Sequence, residues 1–299
     1  MKVLLATDGS SPAREGESLV ASLFNPAGAD VHAFSVKPTS LLPGSLPDRP
    51  LELELVDQLP ANPEHVVEEV VERLTGGGFD VTSGTARGNP ANEILRELDG
   101  GHYDMVVLGA SHTTWMGNLL LGSVSTQVLH HAPCSVVIAH RAPSKGAPTK
   151  AAKILVGVDG SESSSDALDT AMKILDPWRC AFTVATAVHL PLATVPVYPA
   201  GPAFSGNSIP ENEEKRLMER AWHLVNRARW RLEAGGFIVE SAVLLGRAGP
   251  QLLKEADNIG ADLAVVGTRG LGPVRRTVLG SVSDQVVRHA PATLVGRRP

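Results

Sequence analysis

Lys2-Val3-Leu4-Leu5-Ala6-Thr7-Asp8-Gly9-Ser10 is met again as Lys153-Ile154-Leu155-Val156-Gly157-Val158-Asp159-Gly160-Ser161. In both places an aliphatic and β-branched run stops at Asp-Gly-Ser, the pattern of a buried parallel strand ending in a turn. Working outward, Val106-Val107-Leu108-Gly109 recurs as Val265-Val266-Gly267, after the matching Tyr103-Asp104 and Ala261-Asp262. Leu121-Gly122-Ser123-Val124-Ser125 recurs as Leu279-Gly280-Ser281-Val282-Ser283, and His131-Ala132-Pro133 as His289-Ala290-Pro291. The offset is 151 at the first motif and 158 at the later ones, so copy two carries a net insertion of seven residues. A repeat this long is a duplicated domain, not a solenoid unit of roughly 20–50 residues. The boundaries read as domain 1 over 1–141, a Pro/Gly/Lys-containing linker over 142–152, and domain 2 over 153–299.

Each copy alternates strand and helix signals. In copy one, strands are expected at Val3–Thr7, Val31–Val36, Val81–Ala86, Met105–Gly109 and Ser135–Ala139. Ser10 or Ser11 caps the first helix, with Pro12 in its first turn. Val66, Val67, Val70, Val71 and Leu74 fall at helical spacing before Gly76-Gly77-Gly78. Further helices start near Pro90 and Ser123. In copy two Leu217, Ala221, Leu224, Val225, Ala228 and Leu232 form the apolar face of a longer second helix, and packing is the expected role of Trp222 and Trp230. This alternation predicts two α/β domains, each a parallel sheet covered on both faces, with ligands beyond the carboxyl ends of the strands.

Composition narrows the classes. The chain has 299 residues, 43% hydrophobic and 20% charged, which is ordinary for a globular protein of two domains. Its net charge of -5 argues against general nucleic-acid binding. Cys134 and Cys180 have neither metal-ligand nor disulfide-framework spacing. No apolar run approaches the ~18 residues of a membrane span, and Asp8 interrupts the N-terminal one too early for a secretion signal. The expectation is a reduced, cytoplasmic protein without membrane or nucleic-acid partners.

The most chemical motif is Gly267-Thr268-Arg269-Gly270, nine residues, then Gly280-Ser281-Val282-Ser283. Glycines let backbone N–H groups approach an anion, and Gly280-Ser281 opens a helix whose N-terminus is partly positive. Ser281 and Ser283 hydroxyls can donate to phosphate, and Arg269, Arg275 and Arg276 can neutralise it. No Gly-x4-Gly-Lys-Ser/Thr loop, His-Glu-x-x-His or Gly-x-Ser-x-Gly is present, so no metal site or nucleophile is expected.

With the first-strand Asp, the Gly-x2-Gly-x9-Gly-Ser loop and the His-Ala-Pro lead into the last strand, the chain resembles the universal stress protein family in its tandem form. The resemblance implies two Rossmann-like, adenine nucleotide alpha hydrolase-like domains, each with a five-stranded parallel sheet. It implies pairing across the last strands as an intramolecular pseudo-dimer, with further association into a homodimer. It also implies an ATP-binding stress-response regulator, with or without Mg. Carried over residue by residue, Asp159 contacts adenosine, the backbone near Ala187 lies against adenine, and Gly267, Arg269, Gly270, Gly280, Ser281, Val282 and Ser283 hold phosphate. The copy-one counterparts are Asp8, Val36, Gly109, Gly122, Ser123, Val124 and Ser125.

Copy one departs from the pattern. His112 replaces the middle glycine, and Ser111, Gly117 and Asn118 stand where copy two has Arg269, Arg275 and Arg276. Residues 1–146 carry a net -8 and residues 147–299 a net +3, so a triphosphate is expected to favour domain 2. Plainer readings remain beside these. Asp8 and Asp159 can simply hold Asp-Gly-Ser turns, Ser123 and Ser281 can be helix starts, and His131 and His289 can be structural ends of helices. No general base is evident near the loop. Slow ATP hydrolysis and a nucleotide-free interaction role are the alternatives to regulation by nucleotide occupancy.

Overall fold

The computed structural model describes residues 1–39, 62–110, 113–115, 118–142, 151–189, 211–268 and 279–297. Copy one runs β1 (Lys2–Ala6), α1 (Ser11–Leu23), β2 (Asp30–Pro38), α2 (Pro63–Gly76), β3 (Asp80–Gly88), α3 (Pro90–Gly101) and β4 (Met105–Gly109). A short hairpin of β5 (Thr113–Trp115) and β6 (Asn118–Leu120) follows, then α4 (Ser123–His131) and β7 (Ser135–Ala139). Copy two repeats the order as β8 (Ala152–Gly157), α5 (Glu162–Ile174), β9 (Cys180–Val188), α6 (Glu211–Ala234) and β10 (Ile238–Leu245). It ends with α7 (Ala248–Ile259), β11 (Leu263–Gly267), α8 (Ser281–His289) and β12 (Ala292–Gly296). The hairpin was not expected, because its residues read as part of one long loop.

Each copy forms a five-stranded parallel sheet, β3-β2-β1-β4-β7 and β10-β9-β8-β11-β12. The strand order reverses beside β1 and β8, which places a ligand crevice at the carboxyl ends of β1/β4 and β8/β11. The two sheets join into one of ten strands, because β7 and β12 pair antiparallel with Ala139 opposite Ala292 and Val136 opposite Val295. His140 and Arg141 both donate backbone N–H groups to the Pro291 carbonyl across the join, each at 2.9 Å. A second junction ties the ends of α1 and α5: Asn25 N–H donates to the Ile174 carbonyl, and Asp176 N–H to that of Leu23. The last-strand pairing thus occurs within one chain. Both strands are internal to the sheet, so that edge is not available to bring in a second chain.

Two apolar layers sandwich the sheet, and each runs through both copies. One packs α1, α2, α5 and α6 on the strands, with Leu19, Val70, Leu168 and Val225 among its buried residues. The other packs α3, α4, α7 and α8, with Leu98, Val128, Ala256 and Val287. The face of α6 toward the sheet is Ala221, Val225, Ala228 and Leu232, as its spacing predicts. Trp222 and Trp230 are not on that face. At 43% and 70% exposure they stand off it toward solvent, since residues next to or two beyond a buried position point away from it. Burial pushes the thiols of Cys134 and Cys180 up to about 12, which keeps both protonated and unreactive.

One buried polar group is particular to copy one. Glu17 of α1, almost wholly buried, accepts a 2.7 Å hydrogen bond from Thr7 Oγ1 and pairs with the half-exposed Arg73 of α2. The corresponding copy-two positions hold Val158 and Leu168, both buried, while Arg231 pairs with Asp169 instead. Removing Arg73 strands a buried carboxylate, which costs about 3–5 kcal/mol, whereas an apolar replacement of the buried partners is often neutral. Arg73→Met is therefore expected to lower unfolding free energy by several kcal/mol in a urea titration. The double variant Thr7→Val/Glu17→Leu should stay close to the parent. Equal losses in the two variants would contradict this account.

Candidate functional site

Both crevices are built from the end of the first strand, the end of the fourth and the start of the following helix. In copy one Asp8 follows β1, and its Oδ1 accepts the Ser10 N–H at 3.0 Å. Gly9 has φ of 75°, a left-handed conformation that favours glycine. In copy two Asp159 Oδ1 accepts both the N–H and the hydroxyl of Ser161, at 2.9 and 2.6 Å, and Gly160 has φ of 84°. Each Asp therefore does hold its turn. Each also lines its crevice, so turn formation and ligand contact are compatible. Ser10 and Ser161 then cap α1 and α5 by accepting from Ala13 and Ser164 N–H.

The glycines at the ends of β4 and β11 have a packing cause. A Cβ on Gly109 would stand 1.9 Å from the Pro12 carbonyl oxygen, and one on Gly267 would stand 2.7 Å from backbone atoms of Ser163 and Ser164. The first turns of α1 and α5 rest directly on those Cα atoms. The same glycines leave the strand ends open to the crevice, which they also line.

At the helix starts, α4 and α8 have Gly122 and Gly280 as N-caps, and neither cap is made by a side chain. Among the described residues, the first-turn N–H groups of Ser123, Val124 and Ser125, and of Ser281, Val282 and Ser283, have no side-chain capping oxygen. The second serine of each turn is buried and engaged. Ser125 donates its hydroxyl to the Gly109 carbonyl at 2.9 Å, and Ser283 to the Gly267 carbonyl at 2.6 Å. These two hydroxyl protons pin helix to strand, so Ser125 and Ser283 can offer an anion only backbone N–H. Ser123 and Ser281 remain exposed at the mouth. Arg269 and Gly270, like His112, Arg275 and Arg276, lie outside the described residues. His131 and His289 each engage a carbonyl one turn back, at 2.9 and 2.8 Å, which is the structural role expected of them.

The two crevices differ in room. The copy-one cavity measures about 430 Å³ and is walled by Phe34, Val36, Ile94 and Leu108, with Asp8 and Ser123 at its rim. The copy-two cavity measures about 100 Å³ and includes Asp159, Ala185, Ala187, Leu252, Gly267 and Val282. Its side chains from β9 are smaller, but Leu252 of α7 leans inward, 3.1 Å from where a Cβ on Gly157 would be. Val36 and Ala187 each line their crevice. Among the described residues no cluster of three His, Cys, Asp or Glu could hold a metal ion, and no helix is long and apolar enough to cross a membrane.

Comparison with known proteins agrees with this architecture. A family model described as the universal stress protein family matches residues 1–140 and again 151–295. A universal stress protein of Mycolicibacterium smegmatis is 32% identical over 199 residues, covering 65% of this chain and 62% of the relative. One from Mycobacterium tuberculosis is 31% identical over 195 residues with the same coverages. The chain thus aligns with less than two thirds of those relatives' length. The crystal structure of a universal stress protein from Archaeoglobus fulgidus superposes over 100% of this chain and 98% of its own, with a TM-score of 0.65 at 20% identity. That likeness concerns the fold.

The backbone contacts at Gly109 and Gly267 make a specific demand. Overpacking against main-chain atoms costs about 1–3 kcal/mol. Gly109→Ala and Gly267→Ala are expected to lower the thermal midpoint clearly, while Gly76→Ala, with nothing within 4 Å of its Cβ, should not. Unchanged melting of the first two would show that the helix starts do not rest on the strand ends.

Proposed function

Since the chain belongs to the universal stress protein family, we propose that it binds adenine nucleotide in its carboxyl-end crevices and acts as a stress-response regulator read through nucleotide occupancy. The observation that carries this reading is the helix start at Gly280-Ser281-Val282-Ser283, which shares a crevice with Asp159 and whose first turn has no side-chain cap among the described residues. An anion is the natural partner of such a helix start. In this reading Asp159 receives the adenosine part, the β9 backbone at Ala187 faces adenine, and Arg269 and Gly270 are the residues assigned to the phosphates, with or without Mg.

Domain 2 is the proposed ATP site because its half of the chain is net +3 and its loop keeps both glycines and all three arginines. Small-molecule sites usually enclose roughly 300–1,000 Å³. The crevice among the described residues, about 100 Å³, is smaller than that, and in this reading rotation of Leu252 enlarges it for the ligand. A regulatory role, with slow turnover at most, is favoured over a dedicated ATPase. The described residues place no His, Lys or Cys at the crevice rim to act as a base.

Heat-released small molecules from the purified protein, separated by ion exchange, are expected to include adenine nucleotide, and added Mg-ATP should raise the melting temperature. Absence of both would overturn the proposal. Gly280 has ordinary extended angles (φ -68°, ψ 154°), so Gly280→Trp is conformationally tolerated yet puts a ring over the N–H groups. It should abolish the ATP-dependent shift at little cost to stability. Leu252→Ala should instead tighten ATP binding severalfold while lowering the melting point, because it opens the crevice and empties part of the core. An ATP affinity unchanged or weakened by Leu252→Ala would show that Leu252 does not obstruct the site.

A further inference from the structure

The copy-one crevice is not a weaker version of its counterpart but a differently charged one. Its volume of about 430 Å³ already falls within the small-molecule range, and its inner wall of Phe34, Val36, Ile94 and Leu108 suits a flat heterocycle. Its polar groups are concentrated at the rim, where Asp8 and Ser10 face the start of α4. No Lys or Arg is among the described residues that line it. Among the described residues, the positive potential at this crevice is that of the α4 N-terminus, roughly half an elementary charge. Asp8 works against it from the same rim, within a half-chain of net -8. The three loop positions that are arginine in copy two are Ser111, Gly117 and Asn118 here.

A triphosphate entering this crevice gains an apolar seat for its base and loses the hydration of several negative charges without a counter-cation among the described lining residues. A neutral nucleoside, or one phosphate set on the α4 N–H groups, keeps the first gain and avoids most of the loss. We propose that the domain 1 crevice selects an adenosine ligand carrying at most one phosphate and excludes ATP, so that the two halves of one chain read different adenine species. This rests on the adenine-nucleotide reading above and goes beyond it in assigning a ligand class to each half.

The test is calorimetric titration of the full chain carrying Gly280→Trp, so that only domain 1 is open. Adenosine and AMP are expected to bind with similar affinity, and ATP at least about tenfold more weakly, the effect of losing one charge-assisted contact. Ile94→Trp should fill the wall and abolish adenosine binding. Installing the copy-two charges with Ser111→Arg/Gly117→Arg/Asn118→Arg should raise ATP affinity at domain 1 by about tenfold, diminishing with added salt, and leave adenosine unchanged. ATP binding as tightly as AMP in the Gly280→Trp chain would overturn the inference, as would no response to the three arginines. Failure of all three ligands to bind domain 1 would overturn it too. In that case ATP binding by the Ile94→Trp chain shows whether the broader reading survives.

Discussion

The antiparallel pairing of β7 with β12 is the constraint from which the rest of the molecule follows. Within each five-stranded set the strands are parallel, so the ligand crevices sit at one end of each set. Joining the halves antiparallel sends those ends in opposite directions. It also removes two edges that would otherwise recruit another chain. Both apolar layers include buried residues of both copies. The copy-one hairpin strand β6 lies against α8 of copy two.

Within that shared frame the copies solve the same local problems differently. In copy one the turn held by Asp8 is also braced by Thr7, whose hydroxyl accepts the Gly9 N–H at 3.2 Å and donates to buried Glu17. Copy two holds it with the Ser161 hydroxyl and fills the space below with Val158 and Leu168. The second-strand wall is Phe34 and Val36 in one crevice and Ala185 and Ala187 in the other. Duplication supplies two equivalent positions, and substitution at their linings makes them inequivalent. Crevice volume and charge then vary separately: the roomier cavity lies in the acidic half, and the narrow one in the basic half.

Much of this is legible in the sequence because the carriers are local. β4 and β7 appear at the residues their aliphatic runs mark, and α2 ends at Gly76 where the glycine run begins. The helix starts at Ser123 and Ser281 follow from their Gly-Ser signature. What is not legible depends on contacts between distant residues. Gly109 and Gly267 read as phosphate glycines, but their first duty is to let α1 and α5 pass, which only the packed structure reveals. Ser125 and Ser283 read as phosphate donors, yet their hydroxyl protons go to carbonyls sixteen residues back. The Thr7–Glu17–Arg73 group spans α1 and α2 and has no motif. The β5–β6 hairpin has only three residues in each strand, too short for its sequence to stand out from the surrounding loop.

The claim on which this account depends is that one chain offers two unlike adenine sites. Native mass spectrometry of the intact protein in a mixture of ATP and adenosine tests it most directly. The account predicts a dominant species carrying one ATP and one adenosine. A chain carrying two ATP molecules, or none of either ligand, would contradict it.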